Sequence, residues 1–465
     1  MKRSNKKGSI IIFLSIVLSA VILVQTILFS GVSLRYREIE ARRTMQLQSE
    51  YILSKYNEKL LKNYGLYGLE RTISDFSVFE KTNRFSKDAV LSCVSNEKLS
   101  EEHLEKMISE YMTLRYPTIM LTDIGSRIAG AIIEVKSNAI YQNGGKKSFY
   151  WMSQLKTLMG DPENWMWAIE GIESLVDVID FNDKLDEFYE FIDNFKMVVE
   201  RSATLRFQNP NGSEQKLNVF NPASFTQLLE VLTSTIQGSD NPALNHLYVN
   251  AYAGNYFDSR LESIHIDGKS IPETNPYGTP YTEINSTNQS DIEYLLTGAN
   301  STSAANFQAA SLIFLVRAIL NLSSFFLDDV KLYKAQGVAE ILCLTVALLS
   351  AGTVVIDPVS AQYVILLVWA MAVSFRDVDH LKSGKSVSIL HHSKVEDGAL
   401  GRALSTDYRD YITFFLLFVS DDKILTRMLK IFERINGGDI TVAIRLELKD
   451  QDHAYFLEDG YDLYK

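Results

Sequence analysis

The stretch Ile10-Ile-Ile-Phe-Leu-Ser-Ile-Val-Leu-Ser-Ala-Val-Ile-Leu-Val-Gln-Thr-Ile-Leu-Phe-Ser-Gly-Val32 decides how the rest of the chain is read. It holds no ionisable residue. Lys2, Arg3, Lys6 and Lys7 precede it, and Arg35, Arg37, Glu38, Glu40, Arg42 and Arg43 follow. At a rise of 1.5 Å per residue, about 20 such residues cross the hydrocarbon core of a bilayer, so this run spans with a little length to spare. A cleaved secretory signal also starts with basic residues and an apolar run, but that run is only about 7–15 residues long. The one small-residue cleavage site here, Gly31-Val32-Ser33, comes after a longer run. The segment therefore reads as a retained membrane anchor, with Ile10, Phe13, Leu18, Leu23 and Val32 along it. Basic residues are similar in number on its two sides, so the charge rule does not orient it. Nearly the whole chain follows the span, which leads to the expectation of a cytoplasmic N-terminus and an extracytoplasmic body at the cell membrane.

The 465 residues leave room for a large core and for more than one domain after the anchor. A net charge of −11 disfavours nucleic acid as a partner, because binding it requires basic patches that neutralise phosphate. Cys93 and Cys343 are the only cysteines, too few for a disulfide framework.

Outward from the anchor, Met45, Ile52, Tyr56 and Leu60 recur at helical spacing with no proline before Tyr64, so span and stalk are expected to form one long helix. Gly65 and Gly68 supply the permissive backbone for its end. A strand is expected over Ala89–Val94, a helix from Ser100 to about Arg115, and, after Pro117, another from Ile119 to about Tyr141. The aromatic segment Phe149–Trp167 reads as core or contact surface. An amphipathic helix over Ile169–Arg201 carries Ile192 and Phe195 on one face and Asp186, Glu187 and Glu190 on the other, a solvated charge face.

Residues 205–291 change composition. They are rich in Asn, Ser, Gly, Pro and Tyr and are expected to form strands and long loops, with a turn at Asp267-Gly268 and a helix over Ser224–Gln237. Helix returns at Ile292–Leu296 and Asn306–Phe326. Ile341–Ile356 and Ala361–Phe375 follow, separated by Asp357-Pro358 and each short of a full span. A buried helical hairpin is the favoured reading of this pair, and a membrane hairpin is the alternative. Two further helices follow, and Ile440, Val442, Ile444, Leu446 and Leu448 then alternate with polar residues as a strand. The expected fold is α+β, mainly helical, with smaller β elements. Its regions are an anchor at 1–34, a helical stalk and region at 35–204, a polar β/loop region at 205–291, a helical domain at 292–435 and a strand region at 436–465.

Candidate chemistry is sparse. Ser383-Gly-Lys-Ser386 resembles the end of a phosphate-binding loop, but the position of that loop's first glycine is Asp379, and an apolar helix precedes it. Asp377, Asp379, His380, His391 and His392 lie close in sequence, yet their spacing matches no metal template, and a helix end running into a solvated loop accounts for the charges. No nucleophile elbow, no zincin helix and no cysteine with a plausible partner is present. No catalyst, cofactor or metal is expected.

Lys6-Lys-Gly-Ser-Ile-Ile-Ile-Phe-Leu14, the anchor after it, and Tyr56-Asn-Glu-Lys-Leu-Leu-Lys-Asn-Tyr-Gly-Leu-Tyr-Gly-Leu69 resemble a bacterial family of single-span proteins with a TadE-like N-terminus, related there to the minor pilins of tight-adherence pili. Ile108–Met112, Asp291–Gly298, Leu315–Leu322 and Trp369–Lys385 extend the resemblance. It implies an anchored, extracytoplasmic component of a pilus or secretion apparatus that works by assembly. Partners would be the membrane, pilus or secretion proteins, and further copies of the chain through the N-terminal helix. It also makes Gly8 and Ser9 the candidate processing site. The glutamate that such pilins carry at the fifth position after the glycine is Phe13 here, which removes the charged partner a neighbouring subunit's amine would use.

Overall fold

The computed structural model describes residues 6–69, 75–82, 89–113, 115, 185–202, 205–208, 214–216, 244–266, 269–281, 290–349, 351–352, 355–389, 405–450 and 453–461. In chain order the first elements are α1 (Lys6–Leu53), α2 (Glu58–Tyr64), α3 (Ser77–Thr82), β1 (Val90–Lys98), α4 (Glu101–Thr113) and α5 (Leu185–Ser202). Next come β2 (Arg206–Gln208), β3 (Glu214–Lys216), α6 (Leu244–Tyr256), β4 (Ser263–Ile266), β5 (Lys269–Pro272), α7 (Asp291–Thr297) and α8 (Thr302–Phe326). The last are α9 (Asp329–Leu349), α10 (Pro358–Lys382), β6 (Val387–Ser388), β7 (Ser405–Thr406), α11 (Tyr408–Leu416), α12 (Asp421–Asn436), β8 (Thr441–Asp450) and β9 (His453–Gly460). The fold is α+β and mainly helical, as its patterning implies. It divides into two compact units, Met1–Leu104 with Leu429–Lys465, and Glu105–Met428.

The first unit is a helix on a sheet. α1 runs unbroken from Lys6 to Leu53, and from Ala41 onward it buries Ala41, Met45, Gln48, Ser49 and Ile52 at helical spacing. These pack with Leu69, Phe79, Leu91, Ile444, Leu446 and Leu448 on an antiparallel sheet of order β1-β8-β9. The strict alternation of β8 places Val442, Ile444, Leu446 and Leu448 on the covered face. Buried Gln48 is fully used: its Oε1 accepts from the Phe79 amide at 2.9 Å and its Nε2 donates to the Asp75 carbonyl at 2.8 Å. Tyr461 donates its hydroxyl to the Leu53 carbonyl at 2.6 Å, satisfying one of the orphan acceptors at the end of α1.

The expected single helix through Tyr64 is two helices. α1 stops at Leu53, and Asn57 caps α2 by accepting from the amides of Lys59 and Leu60, a local alternative to helical continuation that Asn offers well. Gly65 closes α2 with a left-handed φ of 69°. Gly68 serves another purpose, because a Cβ there would lie 2.4 Å from Ile440 Cγ2.

The second unit is a helical core around α8 and α10. α8 is buried nearly all round, and so is the middle of α10, with Phe314 stacked on Phe375 at 4.1 Å between centroids. α5 adds Phe188, Phe191, Ile192, Phe195 and Val198 from one face while Asp186 and Glu190 stay exposed. At the centre lies Arg317, wholly buried. Its Nη2 and Nε reach Asp377 Oδ2 at 2.6 and 2.9 Å, and its Nη1 reaches the Ser388 carbonyl at 2.8 Å and Tyr411 Oη at 3.2 Å. Asn321 Nδ2 adds a third bond to Asp377 Oδ2 at 2.8 Å. A buried ion pair survives only when its remaining donors and acceptors are also satisfied, and here they are drawn from four elements.

Asp357 caps α10 with Pro358 in the first turn, so the break between the apolar runs is where the sequence places it. Both arms are longer than the apolar runs alone, 21 residues for α9 and 25 for α10. α10 is core, whereas the second half of α9 exposes Leu344 and Leu348. In the polar tract, β4 and β5 pair antiparallel, Asp267-Gly268 between them lies outside the described residues, and the same tract also contains helix α6. The helices expected over Ile119–Tyr141, Ser224–Gln237 and the first part of Ile169–Arg201, and the aromatic segment Phe149–Trp167, lie outside the described residues.

Candidate functional site

Between Ile12 and Val32 of α1 the apolar residues point outward on every side. Phe13, Leu18, Leu23 and Val32 are exposed, and the most apolar window of the helix is 0% buried. This helix is long and apolar enough to cross a membrane. Its polar atoms are suited to that surrounding, because Ser19 and Thr26 donate their hydroxyls to the carbonyls of Ser15 and Ile22, each at 2.8 Å. α8 and α10 are also long and apolar enough, but their windows are 89% and 72% buried, so they serve as core of the second unit. Gly8, Ser9 and Ile10 fall within the first turns of α1.

The second unit holds a cleft of about 490 Å³ lined by residues of α4, α6, the Thr274–Tyr281 segment and α11. Asn275 Oδ1 shapes that segment by accepting from the Tyr277 and Thr279 amides, both at 3.0 Å, and Gly278 takes the positive φ of 79° that the turn requires. α6 brings Tyr252 and Tyr256 one turn apart, stacked at 4.7 Å. The hydroxyls of Tyr111, Tyr256 and Tyr277 meet in one hydrogen-bonded group. Burial pushes the Tyr111 phenol up to about 12 and raises that of Tyr277 further, so these rings remain neutral donors and acceptors near neutral pH.

Two guanidinium groups flank the rings. Arg115, exposed, lies over the Tyr111 ring at 4.1 Å. Arg409 enters from the first turn of α11, its Nε bonded to Glu273 Oε1 at 2.8 Å and its Nη1 to the carbonyls of Gly254 and Phe257 at 2.6 and 3.0 Å. Arg409 Nη2 is buried and has no hydrogen-bond partner among the described residues. Gly254 is required for this packing, since a Cβ there would come within 2.7 Å of Thr413 Oγ1.

The cleft can bind by stacking and hydrogen bonding, and the carboxylate bonded to Arg409 is already engaged. Glu273 accepts from Arg409 through Oε1 and from Ser259 through Oε2 at 2.7 Å. The two acids with strongly raised values do not line it. Burial pushes Glu293 up to about 7, and burial together with neighbouring Asp407 pushes Asp410 up to about 7.

The clustered residues singled out in the sequence are dispersed by the fold. Asp377 belongs to the buried pair with Arg317, which corrects its reading as a charge at a solvated helix end, and Asp379 pairs bidentately with Arg201 at 2.7 and 2.9 Å. His391 and His392 lie outside the described residues, and among those described no group of His, Cys, Asp and Glu is placed to hold a metal. Gly384 of the Ser383–Ser386 segment is a packing glycine, with a Cβ position 2.2 Å from the Ser263 carbonyl oxygen. The tyrosine cluster escaped the sequence reading. Its signal was present in Tyr252 and Tyr256 at i, i+4, hidden in a segment whose Asn, Ala and Gly suggest loop.

Residues 186–436, more than half the chain, match the family model described as a family of unknown function (DUF5702). No curated protein and no solved structure matches the chain. The matched stretch contains most of the cleft, including Arg409, but neither α1 nor Arg115.

Proposed function

The chain belongs to DUF5702, a family of unknown function, and on that premise we propose that it is a single-pass membrane protein whose extracytoplasmic body works by assembly and contact. The role proposed is that of an accessory component of a tight-adherence pilus or related secretion apparatus, with the N-terminus cytoplasmic. The observation that carries this reading is the continuity of α1. One helix supplies the apolar span and then, from Ala41, the central element of a folded unit. A tether that only retains a domain needs no such continuity. A surface meant to pack against neighbouring helices does, because it fixes the direction in which the body is presented. Phe13, in place of an acid, supports an accessory role over incorporation into the filament itself.

A second reading, a tethered ligand-binding protein, draws support from the cleft and from buried Arg409 Nη2, which has no hydrogen-bond partner among the described residues. Exchanging residues 6–39 for an unrelated membrane helix separates the two. The exchange must stop before Ala41, since Ala41 and Met45 are core of the first unit. Under the assembly reading, co-purification with pilus or secretion proteins is lost while the body stays folded. Unchanged association would sink that reading and leave the tethered one.

A further inference from the structure

A pocket of about 270 Å³ lies within the second unit and shares no lining residue with the cleft beside Tyr277 and Arg409. Its size is near the lower end of the about 300–1,000 Å³ usual for small-molecule sites. Helical spacing builds it. Trp369, Val373 and Arg376 follow one another at i, i+4 and i+7 on one face of α10. Asn194 of α5, Phe325 at the end of α8, and Val330 and Lys331 in the first turn of α9 supply further walls.

Trp369 is the group that the fold leaves unfinished. It is 8% exposed, and its indole Nε1 is buried without a hydrogen-bond partner among the described residues. A buried indole N–H ordinarily finds an acceptor, since it has given up water to be there. Indole can only donate, so the group it lacks is an acceptor.

The charges of the pocket say what kind of acceptor. Lys331, Lys334 and Arg376 line it against Glu190 and Asp328. Asp328 is turned to the backbone, its Oδ1 accepting from the amides of Val330 and Lys331 at 3.0 and 3.3 Å. Lys334 pairs with Glu187 at 3.5 Å, and the Lys331 ammonium lies over the Phe325 ring at 4.0 Å. Exposed Arg376 donates from Nη2 to the neutral Asn194 Oδ1 at 2.8 Å and forms no ion pair among the described residues.

We propose that this pocket binds a small organic carboxylate. One carboxylate oxygen accepts from Trp369 Nε1, Arg376 supplies the opposing charge, and the apolar body rests against Phe325, Val330 and Val373. A neutral acceptor would satisfy the indole and leave Arg376 without a counter-charge. Inorganic phosphate would bring charge without a body to fill the apolar wall. The site needs neither a role at a pilus nor a ligand in the other cleft.

The test titrates the full chain in detergent micelles, labelled with 5-fluorotryptophan, with benzoate, benzamide, benzylamine and inorganic phosphate. Trp369 is one of four tryptophans, and its fluorine resonance is identified by its loss in Trp369→Phe. Benzoate should shift that resonance saturably and with several-fold higher affinity than benzamide, while benzylamine and phosphate leave it in place. Arg376→Gln, at an exposed position whose loss the fold tolerates, should weaken benzoate several-fold with an unchanged melting temperature. Trp369→Phe, which keeps the aromatic body, should weaken it likewise in equilibrium dialysis of radiolabelled benzoate. A Trp369 resonance that none of the four compounds moves would overturn the proposal. So would a response to benzamide, benzylamine or phosphate equal to that for benzoate, or benzoate affinity unchanged by Arg376→Gln.

Discussion

At the scale of single residues, Glu293 is a buried acid whose ionisation bears directly on folding. It is wholly buried, and its Oε1 accepts the Arg260 amide at 3.0 Å. Burial raises it from its usual 4.5 to about 7. The folded state therefore binds a proton that the unfolded chain has released, so the stability attached to this group is fully present below about pH 4.5. It is lost as pH rises through about 7. A shift of that size corresponds to something on the order of 3 kcal/mol. Glu293→Gln keeps the acceptor for Arg260 and removes the ionisation. Denaturant unfolding should find the variant close to the parent at pH 5 and clearly more stable at pH 8. Equal pH dependence in both proteins would show that Glu293 folds in its charged form.

At the scale of elements, the joint between the end of α2 and the sheet depends on the missing side chain of Gly68. Ile440 is β-branched and nearly rigid about χ1, so its Cγ2 cannot swing clear of an added methyl group. Gly68→Ala should cost about 1–3 kcal/mol by overpacking, and Ile440→Ala in the same chain should recover part of that loss, a coupling that a double-mutant cycle of unfolding free energies would read. The element scale also shows what the sequence reveals and what it hides. β8 was legible because Ile440, Val442, Ile444, Leu446 and Leu448 alternate over a sheet with one wet face, and α10 because Asp357-Pro358 is a cap followed by a first-turn proline. The end of α1 at Leu53 was not, since only the side chain of Asn57 turning onto two amides distinguishes a cap from another helical residue. α6 was missed for a different reason. It is buried on all sides, so it lacks the one-sided period by which a helix is recognised. Arg317 looked like an ordinary residue of an apolar helix, because its meaning lies in Asp377, 60 positions away.

At the scale of the whole molecule, assembly through α1 requires that the helix transmit orientation and not merely connect. Between Gly31 and Leu53 the helix has neither glycine nor proline, and its exposed residues Tyr36 and Arg42 are braced at i, i+4 by Glu40 and Glu38. Burial against the sheet begins at Ala41, so the segment around Arg37 carries the connection without contributing to the core. Two glycines inserted after Arg37 would break the helix there at about 1 kcal/mol each in local propensity and rotate everything downstream by about half a turn if helix persisted. Thermal unfolding of the body should be unchanged, because Met45, Gln48 and Ile52 keep their partners. If α1 presents the body in a fixed direction, cross-linking between copies through Leu23→Cys should persist while capture of the partner apparatus falls away. If α1 is only a tether, both survive the insertion. A purely tethered binding protein would in addition retain any ligand bound at the cleft of Tyr277 and Arg409, which belongs to the other compact unit and owes nothing to the insertion site.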